Sequence, residues 1–166
     1  MVSCFENILA LRKINIKDLP FLFHVYASTR SEEMVLAGWD TAQTKAFLHM
    51  QFNLQHTQWQ QRFSQANFDI ILLEGKSVGR FYVDRSKKEI HIIDIAILPE
   101  FRGQGIGSYL IEELIAEAKG KNKKLSLQVL KTNPVIGLYQ RIGFRVVQED
   151  DVYALMENVP DFSFDT

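Results

Sequence analysis

The sequence predicts a mixed α/β fold, in which one sheet has helices on both sides. Three observations predict it. Several short segments have the apolar pattern of strands, others repeat apolar residues at helical spacing, and turn residues separate them. Read in order, the segments give β-α-α-β-β-β-α-β-α-β-β. The 166 residues contain no internal repeat or Pro/Gly-rich linker, so we expect a single domain over 1–166.

The first strand is predicted over residues 5–14. Asp18 as cap, with Pro20 in the first turn, then starts a helix. A second helix begins after Asp40 or Thr41, either of which can cap it. Its large apolar side chains repeat at steps near four and seven and are expected in the core, namely Leu48, Phe52, Trp59 and Phe63. Gln55 falls between them on the same face. The glutamines of this helix, Gln55 among them, either line a polar groove or lie on its outer face, which is the interpretation we favour.

Two strands at 67–73 and 78–84 flank a turn of Glu-Gly-Lys-Ser and predict a hairpin. The strand at 90–98 is apolar on both faces, which is typical of a strand in the middle of a sheet. Pro99 ends it.

Helical spacing returns over 105–119, where the pattern ends in Lys-Gly. A strand at 125–130 and a short helix near 134–141 follow. Two closing strands at 144–148 and 152–157 complete the predicted fold.

Composition excludes some classes of function. The formal net charge of -1 provides no broad basic field, so we expect no nucleic-acid partner. No apolar run approaches the roughly 20 residues needed to cross a bilayer, so we expect no membrane partner and a cytoplasmic protein. The single cysteine, Cys4, excludes an internal disulfide framework and suits a reducing compartment.

A glycine-rich turn, Arg-Gly-Gln-Gly-Ile-Gly at 102–107, lies between the buried strand and a helix. Glycines let the backbone approach an anion, and the free amides of a helix start point at its charge. The turn lacks the Lys-Ser/Thr pair of a P-loop, because Ser108 and Tyr109 follow it. Only Ile106 separates its last two glycines, whereas the dinucleotide fingerprint requires two residues there. A turn that merely starts a helix would not require three glycines.

Residues 95–111 resemble the coenzyme A-binding segment of the GCN5-related N-acetyltransferases. That family's pattern of Arg or Gln, two residues, Gly, one residue, and Gly or Ala is met by Arg102, Gly105 and Gly107. A second block at 133–144 is similar to the family's N-P-x-x-x-x-L-Y-x-x-x-G-F. The resemblance is specific over about 68–147 and implies the family's fold, acetyl-CoA as co-substrate and no metal.

The resemblance also implies where acetyl-CoA binds. The turn amides and Ser108 hold the pyrophosphate, the backbone of Ile95 and Ile97 pairs with pantetheine, and Asn133 contacts the cofactor arm. The amide of Ile97 polarises the thioester carbonyl. A direct phosphate contact from the Arg102 side chain stays open. The implied cofactor-binding residues are Ile95, Ile97, Arg102, Gly103, Gln104, Gly105, Ile106, Gly107, Ser108 and Asn133.

Proton transfer involves two candidates. Tyr139 matches the family position whose phenol protonates the leaving sulfur, although an aromatic packed on the helix face is the alternative. Gln128 stands where some members carry a glutamate base, and glutamine takes up no proton. Asp94, in the buried strand, is the other candidate base; the alternative is a carboxylate satisfied by backbone amides. An α-amine, with a pKa of ~8, needs less help than a lysine side chain in losing its proton.

In the family that the sequence resembles, the acceptor pocket is built from the first two helices, the loop between them and a facing strand. The candidates there are Tyr26, Arg30, Glu33, Trp39 and Tyr82. Acidic and aromatic side chains suit a cationic amine, while a solvated surface position is the alternative for Glu33.

These observations predict an acyl-CoA-dependent N-acyltransferase that transfers acetyl directly to a primary amine of a small molecule or peptide. A non-catalytic acyl-CoA-binding module is the alternative, kept open by Gln128. We expect a monomer or homodimer.

Overall fold

The structure is a computed structural model that describes residues 4–36, 38 and 40–159, with side chains described outside 31–36. Its strands are β1 (Leu9–Lys13), β2 (Asn67–Leu73), β3 (Lys76–Arg85), β4 (Glu89–Ile97), β5 (Lys124–Leu130), β6 (Arg145–Glu149) and β7 (Tyr153–Asn158). Its α-helices are α1 (Leu19–Leu36), α2 (Thr41–Arg62), α3 (Ile106–Gly120) and α4 (Val135–Ile142). This order confirms the predicted mixed α/β fold, and most boundaries lie within one or two residues of the prediction.

The strands form one mixed sheet in the order β1-β2-β3-β4-β5-β7-β6. Strands β4 and β5 are parallel, with Glu89 opposite Lys124 and Ile92 opposite Leu127. A parallel pair requires a long crossover connection, and α3 provides it. The pairs β1–β2, β5–β7 and β6–β7 are antiparallel.

Contacts divide the chain into two compact units. The first contains Met1–Tyr82 and Asp94–Gln104, and the second contains Val83–Ile93 and Gly105–Thr166. Each unit has its own fully buried apolar side chains. Those of the first include Leu22, Val25, Ile70, Ile71 and Val78. Those of the second include Ile90, Ile106, Ile111, Leu125 and Met156. The expectation of one domain over 1–166 stays a prediction.

Helix starts follow local hydrogen bonding. Asp40 caps α2 as predicted, with its Oδ1 accepting from the Gln43 amide at 2.7 Å. The prediction of Asp18 as the cap before α1 is wrong. Asn15 instead caps a 3-10 helix (Ile16–Asp18), and Asp18 makes the return bond of that capping box and an ion pair with Arg12 at 2.9 Å.

The first strand is also shorter than the predicted 5–14. Residues 4–8 form a turn in which the Phe5 carbonyl accepts from the amides of Ile8 and Leu9. None of the described helices combines the length and the apolar character needed to cross a bilayer.

Candidate active site

The second half of β4 lies unusually close to β3. A Cβ on Gly79 of β3 would clash with the Ala96 carbonyl oxygen and lie 3.1 Å from the Ile97 Cα. In the same place the Leu98 amide donates to the Val78 carbonyl at 2.9 Å. Only glycine permits this approach, so Gly79 sets the position of the Ile97 backbone.

The end of β4 and the turn after it are anchored to α1. Val25 of α1 packs with Ala96 and Leu98, and Phe21 and Phe101 cover this cluster. Phe101 belongs to a 3-10 turn (Pro99–Phe101). A single apolar cluster therefore holds both the end of β4 and the start of the glycine-rich turn at 102–107, which we call the glycine segment.

The glycine segment has the backbone geometry that its sequence predicts. Gly103 and Gly105 have φ angles of 75° and 88°, in the left-handed region that disfavours other residues. Gly105 is the N-cap of α3, and no side chain of the described residues caps this helix start. The first helical bond runs from the Tyr109 amide to the Gly105 carbonyl, at 3.0 Å. The amides of residues 106–108 precede that bond, and such amides favour an anion.

Arg102, the first residue of the glycine segment, turns its side chain back toward β4. Its Nε donates to the Ile97 carbonyl at 2.8 Å, and the side chain is exposed. The guanidinium therefore lies on a backbone oxygen that the resemblance assigned to pantetheine.

Asp94 forms an ion pair that the sequence analysis missed. Its Oδ2 accepts from the Nε of Arg80 on β3 at 2.6 Å, in place of the backbone amides considered above. The Arg80 side chain is only 4% exposed, whereas that of Asp94 is 27% exposed. Arg80 also donates through Nη2 to Oε1 of Gln55 at 3.2 Å, so this glutamine of α2 faces the ion pair and not the outer side favoured above. The available signal was a charged residue inside the apolar run of β3.

Two aromatic rings hold the Arg80 guanidinium. Its Cζ lies 5.4 Å from the ring centroid of Trp59 and 5.2 Å from that of Tyr82. The two rings meet edge to face at 5.9 Å. Burial lowers the pKa of Arg80 and the Asp94 carboxylate raises it, and the net direction is upward, so the guanidinium stays charged.

Tyr82, a candidate for the acceptor pocket, is buried beside that guanidinium. The residue is 1% exposed, and its hydroxyl has no hydrogen-bond partner among the described residues. Burial raises the pKa of Tyr82 to about 12, against the opposing effect of Arg80. The phenol is therefore neutral at physiological pH, and its ring serves as a wall for Arg80.

Of the other candidates for the acceptor pocket, Tyr26 and Arg30 lie on α1 with described side chains. Tyr26 is 4% exposed, with its ring 5.8 Å from that of Phe52. The Arg30 guanidinium lies over the Tyr26 ring at 5.5 Å. The Glu33 side chain and Trp39 lie outside the described residues.

The second motif block, at 133–144, occupies α4 and its flanks. Tyr139 is buried in the second unit, with its ring 5.8 Å from that of Phe144. Gly143, at φ 113°, ends α4, and the Phe144 amide donates to the Tyr139 carbonyl at 2.9 Å. Asn133 is exposed, and its Oδ1 accepts from the Val135 amide at 3.0 Å. Its side chain thus supports the start of α4.

Within the described part of the chain, no group of three His, Cys, Asp or Glu side chains is arranged to hold a metal ion. The exposed Gln128 lies on β5, opposite Leu155 of β7.

Comparison with known proteins places these features in a family. A family model described as "Acetyltransferase (GNAT) family" matches residues 32–144. The chain is 33% identical over 82 residues to a putative ribosomal protein bS18 alanine N-acetyltransferase of Bacillus subtilis, covering 48% of the chain and 54% of that relative. It is 40% identical over 60 residues to the ribosomal protein bS18 alanine N-acetyltransferase of Haemophilus influenzae, covering 36% and 41%. The chain thus spans about half or less of these relatives, and 10% of others.

The fold is similar to that of the PaiA N-acetyltransferase from Thermoplasma acidophilum, whose crystal structure is in complex with coenzyme A. The TM-score is 0.65 at 21% identity, with 91% of this chain and 98% of that chain covered.

Proposed function

The chain belongs to the acetyltransferase (GNAT) family, and we propose that it is an acetyl-CoA-dependent N-acetyltransferase that transfers acetyl directly to a primary amine. One observation carries the proposal. The left-handed Gly103 and Gly105 open α3 without a side-chain cap, and leave the first helix amides for a pyrophosphate.

The proposed position of acetyl-CoA follows β4 and the turn. The backbone of Ile95 and Ile97 pairs with pantetheine, and Asn133 of the second block contacts the cofactor arm. The Arg102 guanidinium leaves the Ile97 carbonyl when that oxygen pairs with pantetheine. Released in this way, Arg102 is a cation beside the pyrophosphate-binding turn, where a guanidinium binds phosphate well.

In the proposed reaction the amine nitrogen forms a bond to the thioester carbon, and the carbon–sulfur bond breaks. The Ile97 amide donates to the carbonyl oxygen as its negative charge develops. Tyr139 donates a proton to the leaving sulfur, because a phenol carries that proton at neutral pH. The nitrogen releases one proton to solvent, from which Tyr139 is reprotonated, so the protons balance.

The proposed class of acceptor follows from the two residues considered for the general base. Gln128 takes up no proton, and Asp94 is paired with Arg80. An amine that is already partly neutral therefore suits this chain, and an α-amine with a pKa of ~8 is such a group. Two relatives are named for acetylating an alanine of a ribosomal protein. We therefore propose the α-amine of a peptide as the acceptor.

Thiol release from acetyl-CoA tests the activity. Three acceptors are compared. The first is a short peptide that begins with alanine, the second is a version of that peptide with a blocked N-terminus and one added lysine, and the third is spermidine. We expect release to be fastest with the free alanine peptide. Calorimetry measures coenzyme A binding in parallel, so binding without thiol release from any acceptor would establish the alternative, a non-catalytic binding module.

Gly105→Glu tests the binding site. The substitution strains a left-handed position and adds a like charge to the turn, so coenzyme A affinity should fall about a hundredfold or more. Gly120→Glu is the matched control, because it adds the same side chain at the other end of α3, in open space. Equal affinity of the two variants would remove the turn from the site.

Tyr139→Phe tests the acid. Loss of the phenol should lower kcat about a hundredfold or more and leave coenzyme A affinity unchanged. Tyr153→Phe on β7, where the residue is 43% exposed, is the control and should behave as wild type. A wild-type kcat in Tyr139→Phe would assign that ring to packing alone.

A further inference from the structure

The Asp94 carboxylate is held by only one of its oxygens. Oδ2 accepts from the Arg80 Nε at 2.6 Å, and no hydrogen bond from the described part of the chain reaches Oδ1. The side chain is 27% exposed, so a partner can approach it from solvent. Asp94 therefore presents one acceptor oxygen in a fixed direction.

The fixed direction comes from the burial of Arg80. An arginine side chain is long and flexible, but contacts on several sides fix this one. It donates a hydrogen bond to Gln55 of α2 and lies over the rings of Trp59 on α2 and Tyr82 on its own strand. Its side chain is 4% exposed, and its guanidinium pairs with the carboxylate while the rings exclude water around it. An immobilised guanidinium in turn immobilises the carboxylate that it binds.

The position of Asp94 on β4 relates it to the proposed chemistry. Side chains alternate along a strand, so Asp94 shares its face with Ala96 and Leu98. Those two residues pack on Val25 of α1. The free oxygen thus lies on the α1 face of the strand, three residues before Ile97, the residue proposed to polarise the thioester.

We infer, on the premise of the proposed function, that Arg80 is a positioning residue for Asp94, whose Oδ1 accepts an N–H of the acceptor amine. The guanidinium balances the charge of the carboxylate, so Asp94 orients a neutral amine and takes no proton from it. Asp94 thereby contacts the substrate, whereas Arg80 acts through Asp94 alone. The neutral amine directs its lone pair at the thioester carbon while one of its N–H groups stays on Oδ1.

Arg80→Lys and Asp94→Asn test the inference in the full-length chain, with the alanine peptide as acceptor. Lysine keeps the positive charge but loses the planar Nε contact. We expect acceptor KM to rise and kcat to fall, about ten- to hundredfold together in kcat/KM. The KM for acetyl-CoA should stay at its wild-type value. A purely structural defect would reduce kcat through the active fraction and leave both KM values unchanged.

Arg85→Lys is the matched control. Arg85 lies on the same strand and donates from Nε to Glu117 at 2.7 Å, but in the exposed setting of the second unit. It should keep the wild-type acceptor KM. The double variant Arg80→Lys/Asp94→Asn should be no worse than Asp94→Asn alone, because Arg80 acts only through Asp94.

The outcomes separate this inference from the proposed function. A wild-type protein that releases no thiol with any amine would overturn both. A wild-type protein that transfers acetyl, beside Arg80→Lys and Asp94→Asn variants with unchanged acceptor KM and kcat, would overturn the positioning role alone. Asp94→Asn preserves side-chain size and keeps an oxygen that can accept from the Arg80 Nε, so its kinetic constants per folded molecule decide the question even where an Arg80 variant does not fold.

Discussion

Strand β3 carries two arginines that make the same ion pair in opposite surroundings. Arg80 donates from Nε to Asp94 at 2.6 Å, and Arg85 donates from Nε to Glu117 at 2.7 Å. Arg85 adds a second bond from Nη2 to Glu117 at 3.1 Å, so its pair is the better one by geometry. The exposed fractions of the arginine side chains differ widely, 4% for Arg80 and 33% for Arg85.

Burial, rather than bond length, decides how much an ion pair contributes to stability. An exposed pair typically adds about 0–1 kcal/mol, because water competes for both charges. Loss of one partner from a buried pair costs about 3–5 kcal/mol, because the remaining charge has no solvent. Arg80 is therefore a fixed part of the first unit, whereas Arg85 is an ordinary surface residue of the second.

The largest expected difference is in stability. Arg80→Met should lower the free energy of unfolding by about 3 kcal/mol, the low end of the range because Asp94 keeps some access to water. Arg85→Met should lower it by less than about 1 kcal/mol. Urea unfolding at neutral pH measures both, and equal losses would contradict the distinction by burial.

A double substitution separates the cost of an unpaired charge from the cost of lost packing. Arg80→Met/Asp94→Leu leaves no unpaired charge, so it should be about 1–2 kcal/mol more stable than Arg80→Met alone. Arg85→Met/Glu117→Leu should show no comparable recovery, because its single variant leaves a solvated charge. If Arg80→Met/Asp94→Leu proves less stable than Arg80→Met, the cost of Arg80→Met is lost packing on Trp59 and Tyr82.

A smaller effect is expected at His56, which follows Gln55 on α2. Burial, and then the charge of Arg80, lower the pKa of His56 below its usual 6.5. The neutral ring is the form favoured by folding, so this contribution to stability is complete above about pH 6.5 and is lost as pH falls toward the folded pKa. NMR titration should find the pKa of His56 higher in Arg80→Met and unchanged in Arg85→Met. An unchanged value in both would show that burial alone sets it.

The smallest effect concerns the exposed pair. The hydrogen bond from Arg85 lowers the pKa of Glu117 below its usual 4.5. Its contribution to stability is therefore present above about pH 4.5 and is lost as pH falls through the folded pKa. Glu117→Gln should flatten that part of the stability profile, and added salt should have the same effect by screening. A wild-type acid profile in Glu117→Gln would exclude this pair as the cause.

Local features were determined by the sequence itself. The strand and helix periodicities, the Asp40 cap and the left-handed glycines at 103 and 105 depend on neighbours a few residues apart. The two motif blocks at 102–107 and 133–144 are also local patterns, and they predicted the family. The family model that matches residues 32–144 confirms this prediction. Local prediction failed where two neighbouring side chains could fill the same role, because Asn15 rather than Asp18 is the cap.

Tertiary structure alone decided the surroundings of Asp94. Arg80 lies 14 residues from Asp94 and 25 from Gln55, and these three residues meet only because β3 pairs beside β4 while α2 packs over them. The helical spacing of α2 placed Gln55 on the same face as Leu48 and Phe52, but register and packing depend on the whole core, so no local pattern could give the glutamine or the carboxylate a guanidinium partner. The sequence predicted a titratable group in β4, and the fold determined which of its oxygens is free to act.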